Sequence, residues 1–264
     1  MRAMNFQLRA IAAAFAFLLS ANASHAVLLD WAALPGGQTW AAGSLTNSYN
    51  LDGVAGNDIQ ISVVSSGITF ASDSNGSYPQ NVSDPVIRSG TQGLQLWSSA
   101  GFTNSTNKIT VTITFLGTYA SGTAASFSLF DVDAASGASG FIDKVSITAL
   151  KGATPVTLTA TNIGGTASNT IAGSGTTNPI VTGKTSVGNI SDTRGDVNVS
   201  TGAQFVTSIT FVWNNPGPNF SSQAIDLGNI TFTPEVGGSA GALLACGGVL
   251  FFVRRRRRIG GPAA

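Results

Sequence analysis

Histidine and cysteine are almost absent from this sequence of 264 residues, which has one of each. His25 belongs to the N-terminal segment, and Cys246 lies in an apolar stretch close to the C-terminus. Residues 27–233 therefore cannot form a disulfide, a Ser-His-Asp triad, a Cys-His pair or the usual zinc and copper sites. The single glutamate, Glu235, lies beyond this region, so carboxylate chemistry there depends on aspartates.

Charge is also scarce, since charged residues make up 9% of the chain and the formal net charge is +1. The basic residues are concentrated at the two ends. Residues 27–233 contain six basic residues against eleven aspartates, so this central region is acidic. Nucleic acids carry a negatively charged phosphate backbone, which an acidic domain repels. The sequence therefore predicts no nucleic-acid partner.

The N-terminal segment has the three parts of a secretory signal peptide. Two arginines precede an apolar stretch at residues 10–19, and small residues follow where signal peptidase cleaves. We expect residues 1–26 to be removed by cleavage after Ala26, with Ala23 as the alternative position. Signal peptidase is thus a predicted partner, and the protein is predicted to be exported.

The C-terminal segment has the features of a marginal transmembrane helix. Residues 236–253 carry no charge, and a helix of that length reaches ~27 Å, close to the thickness of a bilayer core. Positive residues resist translocation, which places the short tail 259–264 in the cytoplasm and the rest of the protein outside. The membrane-stop cluster consists of Arg254, Arg255, Arg256, Arg257 and Arg258.

A short motif precedes this apolar segment and is formed by Pro234, Glu235 and Val236. Residues 234–258 thus contain, in order, this motif, a predicted transmembrane helix and the arginine cluster. This three-part order resembles the sorting signal of PEP-CTERM bacterial surface proteins. Valine replaces the second proline of that motif. The resemblance implies recognition by an exosortase, removal of the tail, and release or attachment at the cell surface.

A second sorting signal is also similar to this region. Gly237, Gly238 and Ser239 stand at the start of the apolar segment, as in the GlyGly-CTERM signal. That similarity implies processing by a rhomboid-type serine protease instead. Both alternatives predict membrane anchoring through the C-terminal helix before processing, followed by a cell-surface or extracellular location.

Residues 27–233 show the period-two alternation of half-buried β-strands. Turn signals separate the alternating segments, and no ten-residue window has a helical apolar stripe. This pattern predicts an all-β ectodomain, an antiparallel, jelly-roll-like β-sandwich of about eight strands. Residues 164–188 are rich in Gly, Ser, Thr and Asn and are expected to form a long mobile loop. The predicted strands are 59–64, 93–97, 109–115, 126–133, 145–149, 156–160, 197–199, 209–213 and 229–232.

Several aspartates are candidates for a structural calcium site, because calcium prefers hard oxygen ligands. Asp131 and Asp133 would share one face of a strand. Asp143, Gln223 and Asp226 are possible additions, in segments similar to those of exported bacterial jelly rolls that bind calcium. The alternative is that these side chains cap turns or are simply solvated.

Three aromatic residues near predicted strand ends, Trp97, Tyr119 and Trp213, are candidates for stacking on a sugar ring. The alternative is that they fill the core, which needs large rings in a sandwich of this size. Trp213 fits the core best, since it continues the alternation of Ile209 and Phe211.

The sequence therefore predicts an exported, non-enzymatic surface or matrix protein with no catalytic residues, acting in adhesion or in association with extracellular polysaccharide. This rests on the sorting resemblance and on fold analogy. One alternative is a structural matrix protein without a specific ligand. The other is an aspartate-dependent glycan hydrolase, which would need two carboxylates roughly 5 to 10 Å apart in a groove.

Overall fold

The computed structural model describes the chain from residue 25 to residue 235, with gaps. Residues Ala26–Pro234 form one compact unit. The predicted signal peptide before His25, the apolar segment 236–253 and the arginine cluster lie outside the described residues. Within the described part, no helix is long and apolar enough to span a membrane. The described ranges are 25–74, 76–82, 92–100, 102, 106–135, 140–163, 169–185, 193–217 and 223–235.

Strands dominate the described residues, which contain eighteen of them and three single-turn 3-10 helices. The helices are Pro35–Gly37, Gly117–Tyr119 and Thr193–Gly195. The strands are β1 (Val27–Leu29), β2 (Thr46–Tyr49), β3 (Ile59–Ser66), β4 (Thr69–Phe70), β5 (Ser72–Asp73), β6 (Gly76–Ser77), β7 (Gln80–Val82), β8 (Gly93–Ala100), β9 (Lys108–Phe115), β10 (Thr123–Phe130), β11 (Lys144–Lys151), β12 (Thr154–Val156), β13 (Thr159–Asn162), β14 (Asn169–Ala172), β15 (Ile180–Gly183), β16 (Val197–Ser200), β17 (Ser208–Asn214) and β18 (Gln223–Pro234).

These strands form two large antiparallel sheets. The first has the order β13-β16-β10-β18-β8-β4, with β1 beside β18 and β7 beside β8. The second has the order β14-β15-β11-β17-β9-β3-β2, with β12 beside β11. A small hairpin, β5-β6, stands apart from both. The predicted all-β, antiparallel fold is confirmed, and it has more strands than the eight expected.

The two sheets enclose one hydrophobic core. Alternation on β9 buries Ile109, Val111 and Ile113 completely, while the intervening threonines remain partly exposed. Phe127 of the first sheet stacks on Phe211 of the second with ring centroids 6.2 Å apart. Each such side chain contributes ~1.5–3 kcal/mol by leaving water, so the facing inner surfaces hold the sandwich together.

The segment 164–188, predicted to be a long loop, contains a β-hairpin instead. β14 and β15 pair in antiparallel register, and Val181 of β15 is fully buried. The prediction was wrong here because the Gly, Ser and Thr content obscured two short alternating stretches, one ending at Ala172 and one beginning at Ile180. Residues 164–168 and 186–188 lie outside the described part.

The first and last strands pair with each other. Val27 of β1 lies opposite Phe232 of β18, so the two ends of the compact unit leave from the same end of the sandwich. β18 then runs the length of the first sheet, and its other end places Ala224 opposite Trp97. At ~3.4 Å per residue, Trp97 is about 30 Å along the strand from Pro234.

Candidate functional site

The predicted calcium-binding aspartates lie at the end of the sandwich opposite the chain ends. Asp131 and Asp133 were predicted to lie on a strand. They follow the end of β10 at Phe130 instead. Asp131 has a φ of 63°, a left-handed conformation that aspartate tolerates and that ends the extended strand. The next backbone N–H, that of Val132, donates to the carbonyl of Gly195 at 2.9 Å. The expected shared strand face is therefore not formed.

Asp143 is the most enclosed of these carboxyl groups, with 1% of its surface exposed. Its Oδ1 accepts a hydrogen bond from the indole Nε1–H of Trp213 at 2.8 Å, and its Oδ2 accepts one from the backbone N–H of Asp133 at 3.3 Å. Burial raises the pKa of Asp143 well above its usual range, and the nearby Asp133 carboxylate raises it further. The Trp213 bond acts in the opposite direction. Asp143 therefore holds its proton to higher pH than an exposed aspartate does, and it anchors a core tryptophan.

Two residues that sequence reasoning missed hold the Asp131–Asp133 segment in place. Gly183 approaches it so closely that a Cβ there would come within 1.8 Å of the Asp133 carbonyl oxygen. Asn169, only 2% exposed, donates from Nδ2 to the Val132 carbonyl at 3.4 Å. Its Oδ1 has no hydrogen-bond partner in the described structure. A glycine in a strand, as Gly183 is at the end of β15, is the signal for such a close backbone approach.

The five predicted calcium ligands do not come together as one set. Asp226 lies on β18 opposite Phe130 and Gln95, and Gln223 lies opposite Ser98. Among the described residues, no group of three or more His, Cys, Asp or Glu side chains is arranged to hold a metal ion. Calcium binding thus stays a prediction, centred on the Asp131–Asp133 segment.

Two of the three candidate stacking residues are in the core, so their prediction as ligand-facing was wrong. Tyr119 is 4% exposed, and its ring meets that of Phe232 edge to face at 4.9 Å. Trp213 is fully buried on the inner face of β17 and contacts the ring of Phe102 at 4.7 Å. Both fill space between the sheets, as the alternative interpretation held.

The third candidate, Trp97, lies on the outer face of the first sheet. Leu94 and Leu96 of the same strand point into the core, so Trp97 points outward, where it remains partly exposed. Its ring meets that of Tyr78 edge to face, with centroids 5.0 Å apart. The Tyr78 hydroxyl donates to Oδ2 of the exposed Asp73 at 2.8 Å. Trp97 is therefore held by a chain of contacts that ends in a solvent-exposed carboxylate.

A row of polar side chains crosses the same outer face beside Trp97. Gln80, Gln95 and Asp226 are paired across β7, β8 and β18, and each is 4% exposed. Gly93 makes room for this row, since a Cβ there would lie 3.3 Å from the Cβ of Asp226. We call this surface the Trp97 face, and it comprises Asp73, Tyr78, Gln80, Gln95, Trp97 and Asp226.

Comparison with known proteins gives little further guidance. No protein-family model and no curated protein matches the sequence. Among solved structures, the chain is similar to a family 11 carbohydrate-binding module from Clostridium thermocellum, in complex with a β-1,3-1,4-mixed-linked tetrasaccharide. The identity is 9% and the TM-score 0.23, over 80% of this chain and 96% of that one. A likeness of this size decides neither the ligand nor the residues that would bind it.

Proposed function

We propose that this protein is exported and sorted through its C-terminal segment, and that it acts at the cell surface or in the extracellular matrix. Its β-sandwich is non-catalytic and serves adhesion or association with glycans such as exopolysaccharide. Signal peptidase and either an exosortase or a rhomboid-type protease are its processing partners. The membrane holds it through residues 236–253 until the tail is removed.

The observation that carries this proposal is the placement of the chain ends relative to the Trp97 face. Because β1 and the end of β18 are paired, both chain ends leave from one end of the sandwich. Trp97 lies about 30 Å away along β18. A domain tethered at Pro234 would therefore present Trp97 on the side away from the tether, which suits contact with an extracellular polymer.

The sandwich is proposed to be a jelly roll. Along the chain, β8 to β11 alternate between the two sheets, and β15 to β18 alternate again. The orders β16-β10-β18-β8 in one sheet and β15-β11-β17-β9 in the other support two interlocked Greek keys, as jelly rolls have. Fold alone does not assign a ligand, so the binding argument rests on the Trp97 face.

The enclosure of the carboxyl groups supports a non-catalytic role. A glycosidase needs an acid and a second carboxylate flanking a bound sugar. Asp143 has the raised pKa of an acid, but it is 1% exposed and hydrogen-bonded to Trp213, so a substrate cannot reach it. This arrangement favours a structural role over the hydrolase alternative.

Calcium at the Asp131–Asp133 segment is a further part of the proposal. Its carboxylates are hard oxygen donors, and the buried Asn169 Oδ1, which has no hydrogen-bond partner in the described structure, is a third oxygen of the kind that calcium prefers. A bound ion would neutralise carboxylates that otherwise repel each other. The residues present are thus compatible with calcium as a stabilising ion.

Processing can be tested by mass spectrometry of the protein recovered from the cell envelope and medium. We expect a mature N-terminus at Val27 and a C-terminus that lacks Arg254 to Arg258. Recovery of the uncut chain from the cytosol would overturn export and sorting together.

Glycan association can be tested by applying the compact unit Ala26–Pro234 to a glycan array, with and without a chelator. We expect binding to at least one polysaccharide. The alternative of a structural matrix protein predicts that no strand-end aromatic is exposed and that no pocket has convergent polar groups; Trp97, inside β8, is partly exposed. Absence of binding in both conditions would favour that alternative.

A further inference from the structure

Trp97 is held through both its backbone and its partly exposed ring. The Trp97 backbone carbonyl accepts a hydrogen bond from the Ala71 backbone N–H at 2.8 Å, and on the other side of β8 Trp97 pairs with Ala224 of β18. The Tyr78 ring lies against it at 5.0 Å, and Tyr78 is itself held by Asp73. The ring orientation is therefore set before any ligand arrives, which reduces the conformational entropy lost on binding.

We propose that the Trp97 face binds an uncharged polysaccharide chain, with the Trp97 ring stacked on a sugar ring and the Asp73 carboxylate accepting hydrogen bonds from sugar hydroxyls. This inference rests on the proposed glycan association and adds the position of the site and the charge class of its ligand. Nothing in the sorting signal or in the fold specifies either.

The chemistry of the exposed groups suits a sugar. A pyranose presents an apolar C–H face to an aromatic plane and hydroxyl groups at its rim, and tryptophan provides the largest such plane. Asp73 accepts the Tyr78 hydroxyl at Oδ2 (2.8 Å), and at Oδ1 it accepts the Gly76 backbone N–H (3.2 Å) and the Gln80 Nε2–H (3.5 Å). An ionised carboxylate has about four acceptor positions, and Asp73 is exposed, so a sugar hydroxyl can approach it as a further donor.

The negative charge of the Trp97 face favours neutral polysaccharides over acidic ones. Asp73 stands at the surface of the Trp97 face. A uronate polymer would bring carboxylates close to the Asp73 carboxylate, and like charges brought together weaken binding, the more so at low salt. A neutral chain meets no such repulsion.

The opposite outer surface offers a matched control. On the second sheet, Thr112 lies in a register row of hydroxyl side chains and makes a 3.3 Å contact with Thr210. Thr112 is partly exposed, as Trp97 is, and it lies on the other side of the molecule. Thr112→Ala therefore changes the surface without touching the Trp97 face.

The test is affinity electrophoresis and calorimetry of the compact unit with three probes, galactomannan, hydroxyethyl cellulose and alginate. We expect binding to a neutral probe and none to alginate. Trp97→Ala is expected to weaken neutral binding by at least about tenfold, as truncation of a buried aromatic anchor does. Trp97→Phe should retain part of the affinity, and Thr112→Ala all of it, with melting temperatures confirming that each variant folds.

Asp73→Asn tests the charge argument separately: the amide oxygen of Asn can still accept the Tyr78 hydroxyl, while the Gly76 N–H loses its acceptor at Oδ1, so the melting temperature of this variant is compared with that of the parent. We expect this variant to gain affinity for alginate relative to the parent. Neutral binding that survives Trp97→Ala would overturn the site while leaving glycan association in place. Preference of the parent for alginate would overturn the ligand class. No binding to any probe would remove the site and the proposed glycan association together, but not export and sorting.

Discussion

The buried carboxyl group of Asp143 makes a prediction about the pH dependence of folding. Its pKa in the folded protein is raised by burial and by Asp133, whereas in the unfolded chain it has the ordinary value near 3.9. Below that value both states are protonated, and its contribution to stability is fully present. As pH rises from ~4 through the folded pKa, the unfolded chain loses its proton first, so this contribution is progressively lost.

Asp143→Asn isolates this effect because it removes the ionisation and keeps the shape. The amide oxygen can still accept the Trp213 Nε1–H, but the amide NH2 would face the Asp133 backbone N–H, so the 3.3 Å bond is lost. Such a loss costs ~0.5–1.5 kcal/mol. At pH 4 the variant should therefore melt lower than the parent by roughly 2–4 °C, the shift expected per kcal/mol for a domain of this size.

As pH rises from ~4, the difference in melting temperature should shrink, because only the parent carries the cost of a buried ionisable carboxyl group. The assay is thermal unfolding of both proteins from pH 4 to pH 8, followed by far-UV circular dichroism, in EDTA so that no divalent ion contributes. A parent that grows more stable relative to the variant as pH rises would refute this reasoning. It would mean that Asp143 is ionised in the folded protein and stabilised by its two N–H donors.

Three further perturbations test the same end of the sandwich. Gly183→Ala should cost more than ~4 kcal/mol or prevent folding, because its Cβ would overlap the Asp133 carbonyl at 1.8 Å. A normal urea midpoint would contradict this close approach. Gln223→Met should stabilise by ~1–3 kcal/mol in urea unfolding, since the buried amide has no hydrogen-bond partner for its nitrogen or its oxygen in the described structure. A loss of stability would instead mean that the amide binds something. Calcium at a hundredfold excess over its dissociation constant should add ~2.7 kcal/mol, which Asp131→Asn should abolish. Equal melting temperatures in calcium and in EDTA would contradict calcium binding.

Local alternation in the sequence accounts for most of the predicted strands. β9, β11 and β17 are each predicted to within two residues at either end, because apolar residues at every second position define the face that is buried. β10 was placed too late, since the Phe-Asp-Val-Asp stretch alternates like a strand. The left-handed backbone of Asp131, which ends the strand there, has no signal in a period-two pattern.

The candidate site was harder to predict, because it depends on register between distant strands. Trp97, Tyr119 and Trp213 were all candidates from their places near predicted strand ends, and local alternation indicated a core position only for Trp213. The difference is that Leu94 and Leu96 of β8 point into the core, so Trp97, which alternates with them, lies on the opposite face of the strand. This alternation can be predicted from the sequence, whereas the edge-to-face contact of Trp97 with Tyr78 cannot.

Glycines in strands were the overlooked signal for two close contacts on the outer surface of the first sheet. A glycine weakens a strand, so its presence in one indicates that something must come close. Gly93 of β8 leaves room for Asp226, and Gly228 of β18 leaves room for the ring of Phe130, which a Cβ would meet at 2.7 Å. Both glycines lie on the outer surface of the first sheet, where solvent alone would not require the space. Asp226 and Phe130 are accordingly only 4% and 6% exposed although they lie on the outer surface of this sheet.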